Sequence, residues 1–283
     1  MRPSEHTSQP IPVLSSSEVT EFQRLILEYY RRCGRVFPWR ESTDPYSIYV
    51  SEIMLQQTQT ERVVPKYYAF LSALPDWRAL AKAELRQVLT LWSGLGYNRR
   101  ARNLKRAAEI VVCDCDGRLP REEGALRALP GIGPGTAGSL QAFVYNLPVV
   151  FIETNIRRVF LHVYFPGRNE VSDKEILPLV AATLYTDSPR DWYNALMDYG
   201  VFLKREFGNA NIRSRHYTRQ STFADSNRQL RGRLLATLRD TEAADAGVLS
   251  AATGFEYDRV TFALDQLCAE GFLVQEGAFY RVS

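Results

Sequence analysis

The sequence predicts an all-α protein that ends in a small module of three helices and a β-hairpin. Three observations carry this. Apolar residues recur at helical spacing from Ser17 to about residue 205. Almost no strand signal precedes residue 270. Near the end, FLVQEGAFYRV sets two short apolar runs on either side of Glu276-Gly277, a hairpin signal.

The elements follow in order. Residues 1–16 are polar, with no signal-peptide core, and read as a disordered lead-in. From Ser17, residues Val19, Phe22, Leu25, Ile26 and Tyr29 share one helical face. Further helices are expected near 46–57, 60–72, 77–80, 84–93, 98–113 and 122–129, then near 136–145, 155–164, 173–185 and 189–205. Short loops carrying Gly, Pro or Asn separate them. Composition shifts near Lys204: Lys204 to Arg233 holds eight Lys or Arg against Glu206 and Asp225. Three more helices, near 227–238, 244–253 and 257–270, precede the hairpin and together resemble a winged helix, or equally a plain helical cap. The expected division is 1–16, 17–205, a basic loop 206–226, and the module 227–283.

Composition narrows the function classes. Hydrophobic content of 45% and charged content of 24% are those of a globular protein, and 283 residues suffice for a large core. Net charge is only +3, so charge alone names no partner, although its distribution can. No apolar run reaches membrane-spanning length. The cysteines Cys33, Cys113, Cys115 and Cys268 form neither a metal-ligand spacing nor a disulfide framework, which points to a reducing, cytoplasmic compartment.

Three features carry chemistry. LPGIGPGTAGS, Leu129 to Ser139, places four glycines and two prolines in eleven residues. Gly131 and Gly133 permit backbone conformations closed to other residues. The helix starting near Thr136 opens with amides that lack intrahelical acceptors. Together they can grip a phosphate through the main chain; on its own the stretch is also an ordinary turn between packed helices. Glu52 lies among Ile48, Tyr49, Leu55 and Gln56 at helical spacing, where poor solvation raises a carboxyl's pKa. Glu153 precedes a helix beginning near Thr154, whose N-terminus keeps a carboxylate ionised. A basic run, YNRRARNLKR, puts Arg99, Arg102 and Arg106 at helical spacing; it reads as a phosphate-binding stripe or as a solvated helix face.

FPWR, SEIMLQQTQ, LWSGLGY, ARNLKRAA, LPGIGPGTAG, ETNIRRV and ALMDYG occur in an order that resembles the adenine DNA glycosylase branch of the helix-hairpin-helix (endonuclease III) superfamily, over residues 20–203. The resemblance implies a two-lobed all-α fold and a duplex DNA partner holding a mispaired or damaged base, most simply adenine, bound by a monomer. A nucleoid-associated location follows if the source is bacterial. Glu52 is implied as the acid that protonates the departing base, and Glu153, where the family usually has aspartate, as the anion that stabilises the oxocarbenium-like sugar. Gln57 and Tyr97 match duplex wedges, Gly131, Gly133, Gly135 and Thr136 are implied as DNA contacts, to which the basic run adds Arg99 and Arg102, and Gln56 with Gly135 is implied at the base pocket.

Gly135 replaces the lysine of members that also cleave the strand, which implies a monofunctional enzyme. The family's Cys-x6-Cys-x2-Cys-x5-Cys iron–sulfur pattern falls on Lys204, Asn211, Ser214 and Gln220, so no cluster is expected. The loop is expected to be held by packing and hydrogen bonds, through His216, Tyr217 and Phe223. A monovalent cation bound by carbonyls of the bend is the one cofactor the resemblance allows. The segment after Asn227 is too short for the family's 8-oxoguanine-sensing domain. Another modified purine or an adduct as substrate, and a non-catalytic lesion sensor, are the alternative readings.

Overall fold

The computed structural model describes residues 11–219 and 222–283. They form two compact units, residues 11–36 with 134–219 and residues 37–133 with 222–283. The first unit opens with α1 (Ser16–Cys33). Its start is fixed by a capping box: Glu18 N–H donates to Ser15 Oγ at 3.3 Å, and Ser15 N–H donates to the Glu18 carboxylate at 2.8 Å.

The second unit is then built from α2 (Pro38–Glu41), α3 (Pro45–Leu55), α4 (Thr60–Ala73), α5 (Trp77–Lys82), α6 (Leu85–Trp92), α7 (Arg99–Asp114) and α8 (Glu123–Ala128). The single turn α2 has no periodicity to betray it; Pro38 starts it and buried Trp39 anchors it edge-on to Tyr67. Asp44 caps α3 by accepting the N–H groups of Tyr46 and Ser47. Residues 46–51, 53 and 54 of α3 are all buried, so this helix runs through the core of its unit rather than along its surface.

The chain returns to the first unit with α9 (Pro134–Tyr145), α10 (Thr154–Tyr164), α11 (Asp173–Thr183), α12 (Pro189–Phe207) and a 3-10 turn at Ala210–Arg213. Helix α9 begins two residues before its expected start, because Pro134 already has the backbone angle of a first helical turn. Phe22 of α1 meets Phe160 and Trp192 with ring centroids 5.7 and 5.9 Å apart, which forms the core between α1, α10 and α12. Two glycines set how closely backbones approach. A Cβ at Gly200 would lie 2.5 Å from the Asn155 carbonyl, and one at Gly138 would lie 2.6 Å from Phe151 Cβ.

The second unit is completed by α13 (Asn227–Asp240), β1 (Ala244–Asp245), α14 (Ala246–Thr253), α15 (Tyr257–Ala269), β2 (Leu273–Glu276) and β3 (Phe279–Val282). The expected helix over 244–253 begins instead with a strand. Ala244 and Asp245 pair antiparallel with Tyr280 and Phe279, giving a sheet of order β1-β3-β2. Asp245 ends that strand because its side chain accepts Val248 N–H at 2.9 Å and so starts α14.

Residues 227–283, expected as a module apart, belong to the same compact unit as 37–133. Arg86 of α6 donates to the carbonyls of Leu238, Thr241 and Glu242, and Arg99 of α7 pairs with Glu270. These long-range contacts have no signature in local sequence.

Gly138→Ala forces its new methyl onto Phe151, and overpacking of this kind costs about 1–3 kcal/mol. Urea unfolding should show a lowered midpoint with an unchanged slope; an unchanged midpoint would refute the close packing of α9 on Phe151.

Candidate functional site

Glu52 lies in the last turn of α3 and is half-buried, beside the fully buried Tyr49 and Met54. The helix stops at Leu55 and the chain turns sharply through Gln56 to Gln57, whose φ is +55°. A second turn behaves alike: Tyr97 has φ +49°. Left-handed backbone at a non-glycine residue costs on the order of 1–3 kcal/mol and persists only where surroundings enforce it. Gln57 and Tyr97, the two residues expected to wedge into a duplex, are both held this way.

Arg100 does the enforcing. It belongs to the basic run read as a phosphate-binding stripe, yet it is buried. Its Nη1 donates to the carbonyls of Ile53, Met54 and Gln56 at 2.9, 2.8 and 2.5 Å, which are the open carbonyls at the C-terminus of α3. Its Nη2 donates to Thr58 Oγ1 and to the carbonyls of Leu95 and Gly96 at 3.0, 3.1 and 3.1 Å. One guanidinium thus ties the Gln57 turn to the Tyr97 turn. Burial lowers its pKa to about 10, which still leaves it charged at neutral pH. The Tyr97 ring is flanked by Arg100 and Arg228, each about 5.6 Å from its centroid, and its hydroxyl accepts Arg228 Nη1 at 2.8 Å. Gln57 is exposed, and Gln56 is half-buried with its carbonyl on Arg100.

The rest of the basic run divides. Arg99 makes a two-pronged pair with Glu270 at 2.8 and 3.2 Å. Arg102 is half-buried with its guanidinium 4.8 Å above the Phe272 ring. Lys105 donates to the Ala81 carbonyl and to Glu109. Only Arg106 of this group is exposed with no hydrogen bond or ion pair among the described residues.

In the glycine bend, only part of the expectation about backbone freedom holds. Gly131 has φ +83°, and a Cβ there would strike Asn103 at 2.8 Å, so glycine is required. Gly133 is not left-handed; it contributes open space, with nothing within 4 Å of a Cβ built on it. The chain passes between units at Gly133–Pro134. Beyond it, Thr136 is half-buried in the first turn of α9. Gly135 offers less vacant volume than the loss of a side chain implies: a Cβ would lie 3.3 Å from the Ile152 carbonyl.

Glu153 caps α10. One carboxylate oxygen accepts Asn155 N–H at 2.6 Å and Ile156 N–H at 2.9 Å, and the other lies 3.4 Å from Asn155 Nδ2. Burial raises its pKa above the ordinary value of 4.5, opposed by the two amides and by Arg158 and Arg157. The helix terminus alone argued for a carboxylate held ionised; in the structure desolvation outweighs it. Behind Glu153, buried Arg158 donates to Asn155 Oδ1 at 2.6 Å and to the Gly200 carbonyl at 3.0 Å.

The positions aligned with iron–sulfur ligands are rebuilt with hydrogen bonds. Asn211 and Ser214 are buried. Asn211 Nδ2 donates to the Thr154 carbonyl at 2.9 Å, and Asn209 accepts Arg158 Nε at 3.4 Å. Val171 bridges to Ser214 through Val171 N–H to the Arg213 carbonyl, 3.1 Å, and Arg215 N–H to the Val171 carbonyl, 3.0 Å. Arg213 turns inward onto the carbonyls of Leu161 and Phe165. The anchors are therefore Asn209, Asn211 and Arg213, whereas Tyr217 and Phe223, expected in that role, are exposed. Gln220 lies outside the described residues. An amide and a hydroxyl cannot replace thiolates, so these residues do not fit a four-iron cluster. Among the described residues no group of three or more His, Cys, Asp or Glu could hold a metal ion. A monovalent cation at the bend would rely on backbone carbonyls, of which that of Leu129 already accepts Ile132 N–H at 3.2 Å.

Residues 50–179 match the family described as HhH-GPD superfamily base excision DNA repair protein. An adenine DNA glycosylase of Mycolicibacterium smegmatis is 32% identical over 271 residues, covering 88% of this chain and 92% of that protein. An adenine DNA glycosylase of Buchnera aphidicola subsp. Baizongia pistaciae is 36% identical over 187 residues, covering 64% of this chain; the chain spans about half of that relative's length, 52%. The structure of a thermostable thymine-DNA glycosylase shares the fold, with a TM-score of 0.60 and 24% identity over 68% of this chain and 90% of that one.

Arg100→Lys keeps the charge but loses the planar fork, leaving buried carbonyls unpaired at a cost of at least about 2 kcal/mol. Chemical denaturation reads this, and a loss below about 0.5 kcal/mol would mean that the carbonyl cage is not structural. For Glu153, the folded state binds the proton more tightly than the unfolded chain. The contribution of Glu153 to wild-type stability therefore falls as pH rises from below 4.5 through its raised folded value. Glu153→Gln keeps an acceptor for both amides without the charge, so its stability relative to wild type should increase with pH across that window. A stability difference that does not vary with pH would contradict the burial of this carboxyl.

Proposed function

The chain belongs to the HhH-GPD superfamily of base excision DNA repair proteins, in the branch of the adenine DNA glycosylases, and from that premise we propose that it is a monofunctional DNA glycosylase. It releases a mispaired or damaged base, adenine first among them, from duplex DNA by hydrolysis of the N-glycosidic bond. The observation that carries this reading is Glu52: an acid in the last turn of a core helix, in the sequence SEIMLQQTQ, leading directly into a left-handed turn at Gln57.

Each step uses a residue of this chain. A purine departs as a poor leaving group unless it gains a proton, and Glu52 supplies it. The sugar left behind carries oxocarbenium character, and the ionised form of Glu153 stabilises it electrostatically. The raised pKa of Glu153 makes that ionised form less available at low pH. Water is the nucleophile, because Gly135 offers no amine for a covalent sugar adduct and hence no strand cleavage. Gln57 and Tyr97, held in strained turns, enter the duplex beside the extruded base, whose edge Gln56 reads. Gly131, Gly133 and the first turn of α9 at Thr136 approach the phosphates through main-chain N–H groups. The hydrogen-bonded turn at Ala210–Arg213 supports the fold in place of an iron–sulfur cluster, and a cation in the bend is not required by this chemistry.

Glu52→Gln should reduce single-turnover release of adenine by about 10²–10⁴-fold while duplex affinity changes little. If wild type releases no base from any of a panel of mismatched and modified duplexes yet binds them, the chain is a lesion sensor. If it releases a different purine, the chemistry stands and the substrate changes.

A further inference from the structure

An open groove of about 770 Å³ lies within the second unit, where α5 and α7 face the C-terminal hairpin. Lys82, Arg86, Arg102, Lys105, Arg106 and Arg281 line it, Arg86 being the cap of α13. Three carboxylates also line it: Glu84, Glu109 and Glu270. Two of these are already engaged, Glu109 by Lys105 and Glu270 by Arg99 and Arg231. Lys82 and Arg106 are exposed and take part in no ion pair among the described residues.

Like charges crowd one wall. The Arg102 guanidinium is lowered first by burial, then favoured by Glu270, and lowered again by Arg106, Arg99 and Arg231. Its Nε is buried with no hydrogen-bond partner. Glu270 joins Arg99 and Arg231 and offsets part of the repulsion on Arg102, whereas Arg106 has no carboxylate partner among the described residues. The lining contains no aromatic side chain, so the groove has no platform on which a base could stack. What remains is a chemistry of phosphate without base recognition.

We propose that this groove is a sequence-independent site for the phosphodiester backbone of duplex DNA, in which Lys82 and Arg106 are the principal contacts. It deepens the proposed function and rests on the DNA partner of that reading. The winged-helix reading gains no support from α15, whose surface carries Asp258 and Asp265 and whose one cation, Arg259, is paired with Asp225. The C-terminal module instead supplies a wall of the groove, where Arg281 is held by Glu276.

The test uses the full chain with Lys82→Ala and Arg106→Ala, singly and together, since both side chains are exposed and their loss leaves the core intact. Thermal melts check folding. Binding of an undamaged duplex is followed by fluorescence anisotropy from low to moderate salt. The double variant should bind at least about fivefold more weakly at low salt, with the slope of log K against log salt shallower by about 1–2. Unchanged affinity and slope overturn the proposal. ATP, titrated separately, tests a free nucleotide as the source of phosphate: saturable ATP binding lost in the variants, with duplex binding unaffected, also overturns it. Duplex binding is scored apart from base release. A protein that loses duplex affinity in the variants but frees no base therefore upholds the groove and refutes only the glycosylase reading.

Discussion

The fold depends on one recurring interaction, an arginine guanidinium set on the open carbonyls at the C-terminal end of a helix. The last carbonyls of a helix have no internal donors and carry its negative pole. Arg100 closes α3, Arg213 closes α10, and Arg190 closes α9 through the Phe143 carbonyl at 2.6 Å. Arg86 closes α13 through Thr241 at 2.6 Å, and Arg233 closes α14 through Thr253 at 2.7 Å. In each case the guanidinium satisfies carbonyls that the helix leaves open, wholly or partly hidden from water at α3, α9, α10 and α14 and exposed at Thr241 of α13, and where the charge is buried the dipole offsets part of its cost. The cap also chooses a neighbour for the helix, because its arginine comes from another element. Arg86 is the clearest case: it joins a helix near residue 86 to one 155 residues later and so makes the C-terminal segment part of its unit.

The same economy explains the segment 208–219 that follows α12. Asn209, Asn211 and Arg213 attach this segment to α10 through carbonyls and amides. The consequence reaches Glu153, because Asn211 and Arg158 both bear on the first turn of α10, which holds that carboxyl. A loop that appears dispensable in sequence thus braces the residue assigned to the sugar.

The places of several candidate site residues in the fold were legible in sequence, and the reason differs by residue. Glu52 and Glu153 could be found because each stands at a helical position that the apolar pattern and a single helix boundary define. Gly131 could be found because a left-handed turn demands it, whereas Gly133, with the same letter and neighbours, has ordinary backbone and only leaves room. The basic run misled for a physical reason. Arg99, Arg102 and Arg106 do share a face, but whether a cation is solvated is decided by Glu270 and Phe272, more than 160 residues away, and no local spacing encodes them. Arg100 was equally opaque: its partners at Ile53 and Met54 lie 47 and 46 residues upstream. The hairpin was read correctly, but not β1, since two residues are too few to show alternation.

These assignments bear on how a protein of net charge +3 can hold a polyanion. Many of its arginines already close helices or pair with carboxylates, so they cannot also neutralise phosphates without giving up structure. Recognition must then draw on groups outside that set. Backbone N–H groups at the glycine bend are one source, and they carry no ionic charge to be screened. The exposed cations Lys82 and Arg106 are the other. The first kind of contact persists as salt rises, and the second weakens through counterion release. On the proposed reading the glycine bend holds the duplex, while a few cations govern how readily it is first captured.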